Sequence, residues 1–355
     1  MSGMHSYGRG ISRRALLSLV TALPTGRLLR GQQTDRTFST DVKVVQVFAT
    51  VRTSKGPIVR DLGQDDFKLE EDRHAQTIRY FSRESDLPLT LGLLVDISGS
   101  MQRVLDEERS ASSIFFDQVL REDRDKAFVI HFDNEIDLLQ DLTSSRKELQ
   151  AALSELKGTA AQRGKPASSP GGQPAGGGTA LYEAVRLAAD DFMKKQTGRK
   201  AIIVLSDGVD NTSRATLADA IASAQKADTL VYTILIADEQ QRALQGPMGG
   251  LSGGGGRRGG MGPMTAPLPP LQDHPDGKKI MERLAKETGG GFFEVSKKQP
   301  IEKMYDQIQE ELRSQYSLGY TPDHTDAGPG FRKIRVTVLQ KGAVVQTRGG
   351  YFADK

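Results

Sequence analysis

Three short runs of uncharged residues limit what this chain can fold into: Leu89–Val95, Ala201–Leu205 and Leu230–Ile236. Each has strand length and none alternates apolar with polar, so each reads as a strand buried on both faces. Helical patterns stand between and after them. Met101, Val104, Leu105, Ala111, Phe115 and Val119 repeat at helical spacing, and Ser144–Leu156 sets Leu149, Leu153 and Leu156 on one stripe. Further helices are predicted over Ala180–Lys194, from a Ser213 cap to about Lys226, over Lys278–Thr288, and over Ile301–Gln315 behind Pro300. Buried strands alternating with helices imply an α/β fold, a doubly wound, mostly parallel sheet covered on both faces. Ala127–Phe132 adds a strand, which Asp133-Asn134 turns back into Ile136–Leu139 as one antiparallel edge.

The flanks read differently. Val42–Val51 is rich in β-branched residues, and Phe67–Glu70 and Thr77–Phe81 alternate as half-solvated strands do. Tyr316–Tyr320, Lys333–Val338 and Val344–Thr347 have the same character. The economical arrangement joins these N- and C-terminal strands into a small β-sandwich-like element beside the α/β domain. The predicted organisation is an export signal or tail over 1–36, a β element over 37–86, the α/β domain over 87–315 and a second β element over 316–355. Residues 158–178 and 241–277 are loops inside the α/β domain, the first rich in Gly, Pro and Ser, the second dominated by Gly, Pro, Met and Arg with too little apolar surface to pack.

The N-terminus carries Ser12-Arg13-Arg14-Ala15-Leu16-Leu17 and stays largely apolar to Leu23, too short to span a bilayer. The arginine pair resembles a bacterial twin-arginine signal, which implies an exported protein, periplasmic, envelope-associated or extracellular. A basic tail is the alternative. The 48 basic and 45 acidic side chains nearly cancel, leaving no large field for nucleic acid. Arg257-Arg258 lacks the interleaved aromatics of a single-strand platform. With no cysteine, disulfides, thiolate metal sites and a cysteine nucleophile are excluded. The five histidines show no metal-ligand spacing, and His131, inside a strand, reads as a core residue. The Gly-rich runs match no phosphate loop.

The chemistry concentrates just after the first buried run. Asp96, Ser98 and Ser100 leave the carboxyl end of that strand, the edge where open parallel sheets bind ligands. Three hard oxygens on one short loop suit a small divalent cation such as Mg2+ or Mn2+. Asp207 follows another buried strand at the same edge, and Thr179 follows Gly176-Gly177-Gly178 at a helix start, where its hydroxyl can turn toward the crevice. Each residue also suits a local role: Asp96, Ser98 and Ser100 in a strand-to-helix turn, Thr179 as an N-cap, Asp207 in a solvated turn. Asp210 reads as a supporting or surface carboxylate and stays outside the set.

In this order and setting, Asp96-x-Ser98-x-Ser100, a distant Thr179 and Asp207-Gly208 resemble the metal-ion-dependent adhesion site of the von Willebrand factor type A (VWA) family, over roughly residues 89–315. The resemblance implies a VWA, Rossmann-like sheet. It implies Ser98, Ser100 and Thr179 as hydroxyl ligands, with Asp96 and Asp207 as carboxylates bound directly or through water. The implied cofactor is Mg2+, with Mn2+ or Ca2+ as alternatives, and a coordination position stays open for an acidic residue of a partner protein. Leu62-Gly63-Gln64-Asp65-Asp66-Phe67 with Glu70-Glu71-Asp72, Phe81-Ser82-Arg83-Glu84, Tyr316-Ser317-Leu318-Gly319-Tyr320 and Arg348-Gly349-Gly350-Tyr351 resemble exported bacterial VWFA-related proteins.

The expectation is a non-enzymatic, metal-dependent protein-binding module of adhesion type, with no small-molecule substrate and no nucleic acid. Two alternatives stand beside it. One is a Mg2+-dependent α/β phosphohydrolase, although Ser98 occupies the position where such enzymes place a second acid. The other is a structural exported domain with an unfilled site. A serine hydrolase built on Ser98 lacks its Gly-x-Ser-x-Gly elbow, because Asp96 and Ser100 stand where the glycines belong.

Overall fold

A computed structural model describes residues 44–54, 56–83, 87–101, 104–156, 178–236, 276–296, 298–323 and 328–353. The expected signal over 1–36 and nearly all of the loops 158–178 and 241–277 lie outside the described residues. The strands β1 (Val45–Thr53), β2 (Phe67–Glu71), β3 (His74–Gln76) and β4 (Tyr80–Ser82) precede the first buried run, which forms β5 (Leu89–Asp96). Then come α1 (Leu105–Val119), β6 (Lys126–Phe132), β7 (Ile136–Thr143), α2 (Arg146–Ser154), α3 (Leu181–Leu187), β8 (Arg199–Ser206), α4 (Leu217–Lys226) and β9 (Leu230–Leu235). The remainder is α5 (Gly277–Thr288), β10 (Phe292–Glu294), α6 (Ile301–Arg313), β11 (Tyr316–Tyr320), β12 (Gly330–Val338), β13 (Ala343–Thr347) and β14 (Gly350–Ala353).

The central sheet has the order β10-β9-β8-β5-β6-β7. Its pairings are parallel except β6 with β7 at the edge. Every residue of β5 is buried, as a strand sandwiched between helix layers requires. Successive side chains feed opposite cores. Leu91, Leu93 and Ile203 meet Phe115 of α1 and Ile308 of α6 in one core. Leu94, Ile202 and Val204 meet Leu181 of α3 and Met281 of α5 in the other. Mostly parallel strands between two helix layers make this a mixed α/β fold of Rossmann-like kind. Among the described residues no helix is long and apolar enough to cross a membrane.

Strands from the two ends of the chain form two further antiparallel sheets, ordered β13-β1-β11-β4 and β14-β12-β2-β3. Val47, Leu318, Phe67 and Val336 meet in a single apolar core between them. The predicted strand Thr77–Phe81 keeps only its last two residues as strand, in β4, while a separate strand, β3, lies just before it in another sheet. Residues 74–76 pair with β2, and residues 80–82 pair with β11. The chain crosses between layers at 77–79, where Ile78 turns inward.

Two helices also differ from expectation. The helix after β8 begins at Leu217, because Thr216 and Asp219 form a reciprocal capping box. Ser213 turns back toward α3 instead. The segment predicted as one helix over Ala180–Lys194 is α-helical only to Leu187, then widens to π geometry over Ala188–Phe192 and tightens over Met193–Lys195.

Buried polar contacts hold α6 on both sides. Toward the β-sandwich, Arg52 Nη2 meets Glu311 Oε1 at 2.6 Å, and Gln346 Nε2 donates to Glu311 Oε2 at 3.1 Å. Burial pushes the Glu311 carboxyl up, and the Arg52 guanidinium draws it back. Removing one partner of a fully buried pair costs about 3–5 kcal/mol, because the other charge is left unpaired. The Arg52 side chain is 24% exposed, so water can reach the vacated carboxylate. Arg52→Met should therefore cost about 2 kcal/mol in urea unfolding at pH 8. The loss should shrink at low pH, where Glu311 is protonated in both states, and should shrink likewise in a Glu311→Gln background. Toward α1, Ser112 Oγ donates to Glu108 Oε1 at 2.8 Å and lies 2.7 Å from the Tyr305 hydroxyl.

Candidate functional site

Parallel pairing of β5 with β8 brings their carboxyl ends out side by side, with Val95 opposite Leu205. Asp96 is completely buried at the last position of β5. Its Oδ1 accepts from Ser98 N at 2.9 Å, and its Oδ2 accepts from Ser206 Oγ at 2.7 Å. Burial raises the Asp96 carboxyl to about 6, against the pull of the hydrogen bonds from Ser98 and Ser206, with a smaller upward push from Asp207. Ser98 Oγ lies 3.2 Å from Ser100 Oγ, and Ser100 Oγ donates to Asp207 Oδ2 at 2.7 Å. Asp207 Oδ1 accepts from Val209 N at 3.0 Å. Gly208 turns at φ 79°, and a side chain there would overlap the backbone of Gly277. This glycine contact lets α5 begin against the strand end that carries Asp207.

Thr179 lies outside the sheet, just before α3. It is buried, and its backbone is tied to the loop that follows Asp207. Asn211 Oδ1 accepts from Thr179 N at 2.7 Å, while Thr179 O accepts from Asn211 N at 3.1 Å and Thr212 N at 3.3 Å. The N-cap of α3 is Ala180, so Thr179 does not have the capping role that its sequence position also suited. Asp96, Ser98, Ser100 and Asp207 thus share one run of hydrogen bonds. Among the described residues no hydrogen bond joins the Thr179 hydroxyl to that run.

Four polar residues around the set carry no signal in strand or helix periodicity. Ser206 bridges Asp96 to the next turn, since its Oγ also accepts from Gly208 N at 3.0 Å. Asp210, Asn211 and Ser213 tie that turn to α3. Asp210 Oδ2 accepts from Tyr182 N at 2.8 Å and from Ser213 Oγ at 2.6 Å. Asp210 reads from sequence as a supporting or surface carboxylate and Ser213 as a cap; the signal that could have found Ser206 and Asn211 is the density of short polar side chains in Ser206-Asp207-Gly208-Val209-Asp210-Asn211 at the end of a buried strand.

The donor set fits a small divalent cation. An octahedral oxygen shell at Mg2+ distances puts neighbouring oxygens about 2.9 Å apart. The spacings of 3.2 Å from Ser98 to Ser100 and 2.7 Å from Ser100 to Asp207 bracket that value. All the donors are hard oxygens, which suits Mg2+, Mn2+ or Ca2+ better than a thiophilic metal. Among the described residues no three His, Cys, Asp or Glu side chains gather as a metal site, so a shell here needs the hydroxyls.

Residues 91–209 match the family described as the von Willebrand factor type A domain. No curated protein matches the sequence. Among solved structures, the chain is similar to the conserved hypothetical protein BatB from Bacteroides thetaiotaomicron, at 18% identity over 63% of this chain and 97% of that one, with a TM-score of 0.42. It is similar to proximal thread matrix protein 1 from the mussel byssus, with a zinc-occupied MIDAS motif, at 14% identity over 68% and 49% of the two chains and a TM-score of 0.44. It is also similar to a von Willebrand factor type A protein from Catenulispora acidiphila, at 12% identity over 81% and 73%, with a TM-score of 0.43. The family match runs from inside β5 to just past Asp207, across the residues that build this sheet edge, and it is over this stretch that the chain matches a von Willebrand factor type A domain.

Proposed function

We propose that the chain is an exported, non-enzymatic module that binds a protein partner through a divalent cation. Ser98, Ser100 and Thr179 supply hydroxyl oxygens, while Asp96 and Asp207 supply carboxylates, directly or through water. Mg2+ is the first choice of ion, with Mn2+ and Ca2+ as alternatives. The observation that carries this reading is the run Ser98 Oγ, Ser100 Oγ, Asp207 Oδ2, with its octahedral-edge spacings. Neutral hydroxyls leave a bound cation with residual positive charge, so an external Asp or Glu side chain could complete the shell and gain a partly desolvated charge interaction. Ser98, in the place of a hydrolase's second acid, supports a binding role over phosphoryl transfer.

The test is affinity capture of envelope proteins by immobilised full-length chain, in Mg2+ and in chelator, beside Asp207→Ala. A partner held by the wild type in Mg2+, released by chelator and missed by the variant supports the reading. A partner bound equally under all conditions, or Asp96-dependent phosphatase turnover, overturns it.

A further inference from the structure

We propose that Asn211, supported by Asp210, is a positioning residue that sets where the Thr179 hydroxyl stands relative to the cation. The inference rests on the metal-site reading above. Asp96 ends β5, Ser98 and Ser100 follow it on one short loop, and Asp207 directly follows β8, so the pairing of those strands places the segments that carry them. Thr179 follows no strand. Its main chain is held by a two-way clamp in which the Asn211 side chain accepts from Thr179 N, and Thr179 O accepts from the Asn211 and Thr212 amides, while the next amide, Ala180 N, donates to Asp133 O at 2.7 Å. The clamp is itself braced. Asp210 holds Tyr182 N and the Ser213 hydroxyl, and Ser213 Oγ accepts from Glu183 N at 3.0 Å. On the other side of Thr179, a side chain at Gly178 would overlap Asn134 and the Thr212 methyl. That contact seats the main chain against the same loop.

One turn thus carries the carboxylate of Asp207 and, four residues on, fixes the hydroxyl ligand that comes from a different part of the chain. The arrangement matters because Mg2+ demands near-ideal octahedral geometry. Residues that orient ligands typically contribute 10–100-fold to metal affinity. A merely structural clamp would change thermal stability and leave ion affinity alone.

The experiment is calorimetric titration of Mg2+ and Mn2+ into the full chain, with thermal unfolding in chelator as the fold control. Asn211→Ala should weaken ion affinity about 10–100-fold while still unfolding cooperatively in chelator. Asn211→Asp keeps the accepting oxygen and should retain wild-type affinity or exceed it. Thr179→Ala combined with Asn211→Ala should bind no more weakly than Thr179→Ala alone, since one acts through the other. If Asn211→Ala does not fold, Asp210→Asn should lose affinity in the same direction. Wild-type affinity in Asn211→Ala, or additive losses in the double variant, would overturn the positioning role alone. A wild type that takes up neither ion, and so matches Asp96→Ala, would overturn the metal-site reading and this inference with it.

Discussion

In thermal unfolding, Mg2+ at 100 times its Kd is expected to raise the midpoint of the wild-type chain by about 5 °C and to leave Asp96→Ala unmoved. Saturation of that order stabilises the native state by about 2.7 kcal/mol, and a domain of this size shifts by about 2 °C per kcal/mol. The variant loses more than one oxygen. Asp96 holds both the Ser98 amide that orders the ligand loop and the Ser206 hydroxyl at the end of the neighbouring strand. Alanine leaves those donors without their acceptor, at about 1–3 kcal/mol for a buried group. It also removes a carboxylate that burial disfavours, as its rise to about 6 reports. The two effects oppose each other, so Asp96→Ala in chelator should still unfold cooperatively, within a few degrees of the wild type. Asp96→Asn keeps the side-chain shape and separates the charge from the packing. It too should show no Mg2+-dependent shift. A Mg2+ shift retained in both variants would place ion binding elsewhere.

The second large effect concerns pH and lies away from the site. Glu108 is fully buried between α1 and α6, where its carboxyl is pushed up to about 7 by burial. The Ser112 hydroxyl and the Arg109 guanidinium draw it back only in part. Its Oε2 has no hydrogen-bond partner among the described residues. The sign follows from linkage. The folded value lies above the unfolded value of 4.5, so the native state binds the proton more tightly. The stabilisation is whole below pH 4.5 and is lost as pH rises through about 7, a difference on the order of 3 kcal/mol. Glu108→Gln removes this titration. At pH 8 the variant should therefore be more stable than the wild type by about that amount, and at pH 4.5 the two should nearly coincide. Urea unfolding in chelator, across pH 4.5–8, reads the difference directly. A wild-type-minus-variant difference that stays flat across that window would contradict a neutral, buried Glu108.

The parts of the fold that were legible in sequence share one physical property. The runs Leu89–Val95, Ala201–Leu205 and Leu230–Ile236 are buried on both faces, so they carry no charge, and no other local structure explains that composition. The place of Asp96, Ser98 and Ser100 at the carboxyl edge of the sheet was legible because they sit immediately after such a run, where strand direction alone assigns them. Thr77–Phe81 was misread because alternation reports which residues face inward and not which partner they pair with. The chain there leaves one sheet for the other while Ile78 keeps facing the core. Ser213 was misread because Ser, Thr and Asp all cap helices. Only the reciprocal bonds between Thr216 and Asp219 decide which residue does so. Asn211 was invisible for a different reason. Its role is a contact with Thr179, 32 residues earlier in the chain, and neither residue's local pattern encodes that contact.

In the proposed function, Ser98, Ser100, Thr179, Asp96 and Asp207 surround one divalent cation. The most direct test is a crystal of the chain grown with Mn2+ and measured for anomalous scattering. A single strong peak is expected about 2.2 Å from Ser98 Oγ and Ser100 Oγ, with Thr179, Asp96 and Asp207 completing the shell directly or through water. A map with no peak at that strand edge, or with its strong peak on other side chains, would contradict it.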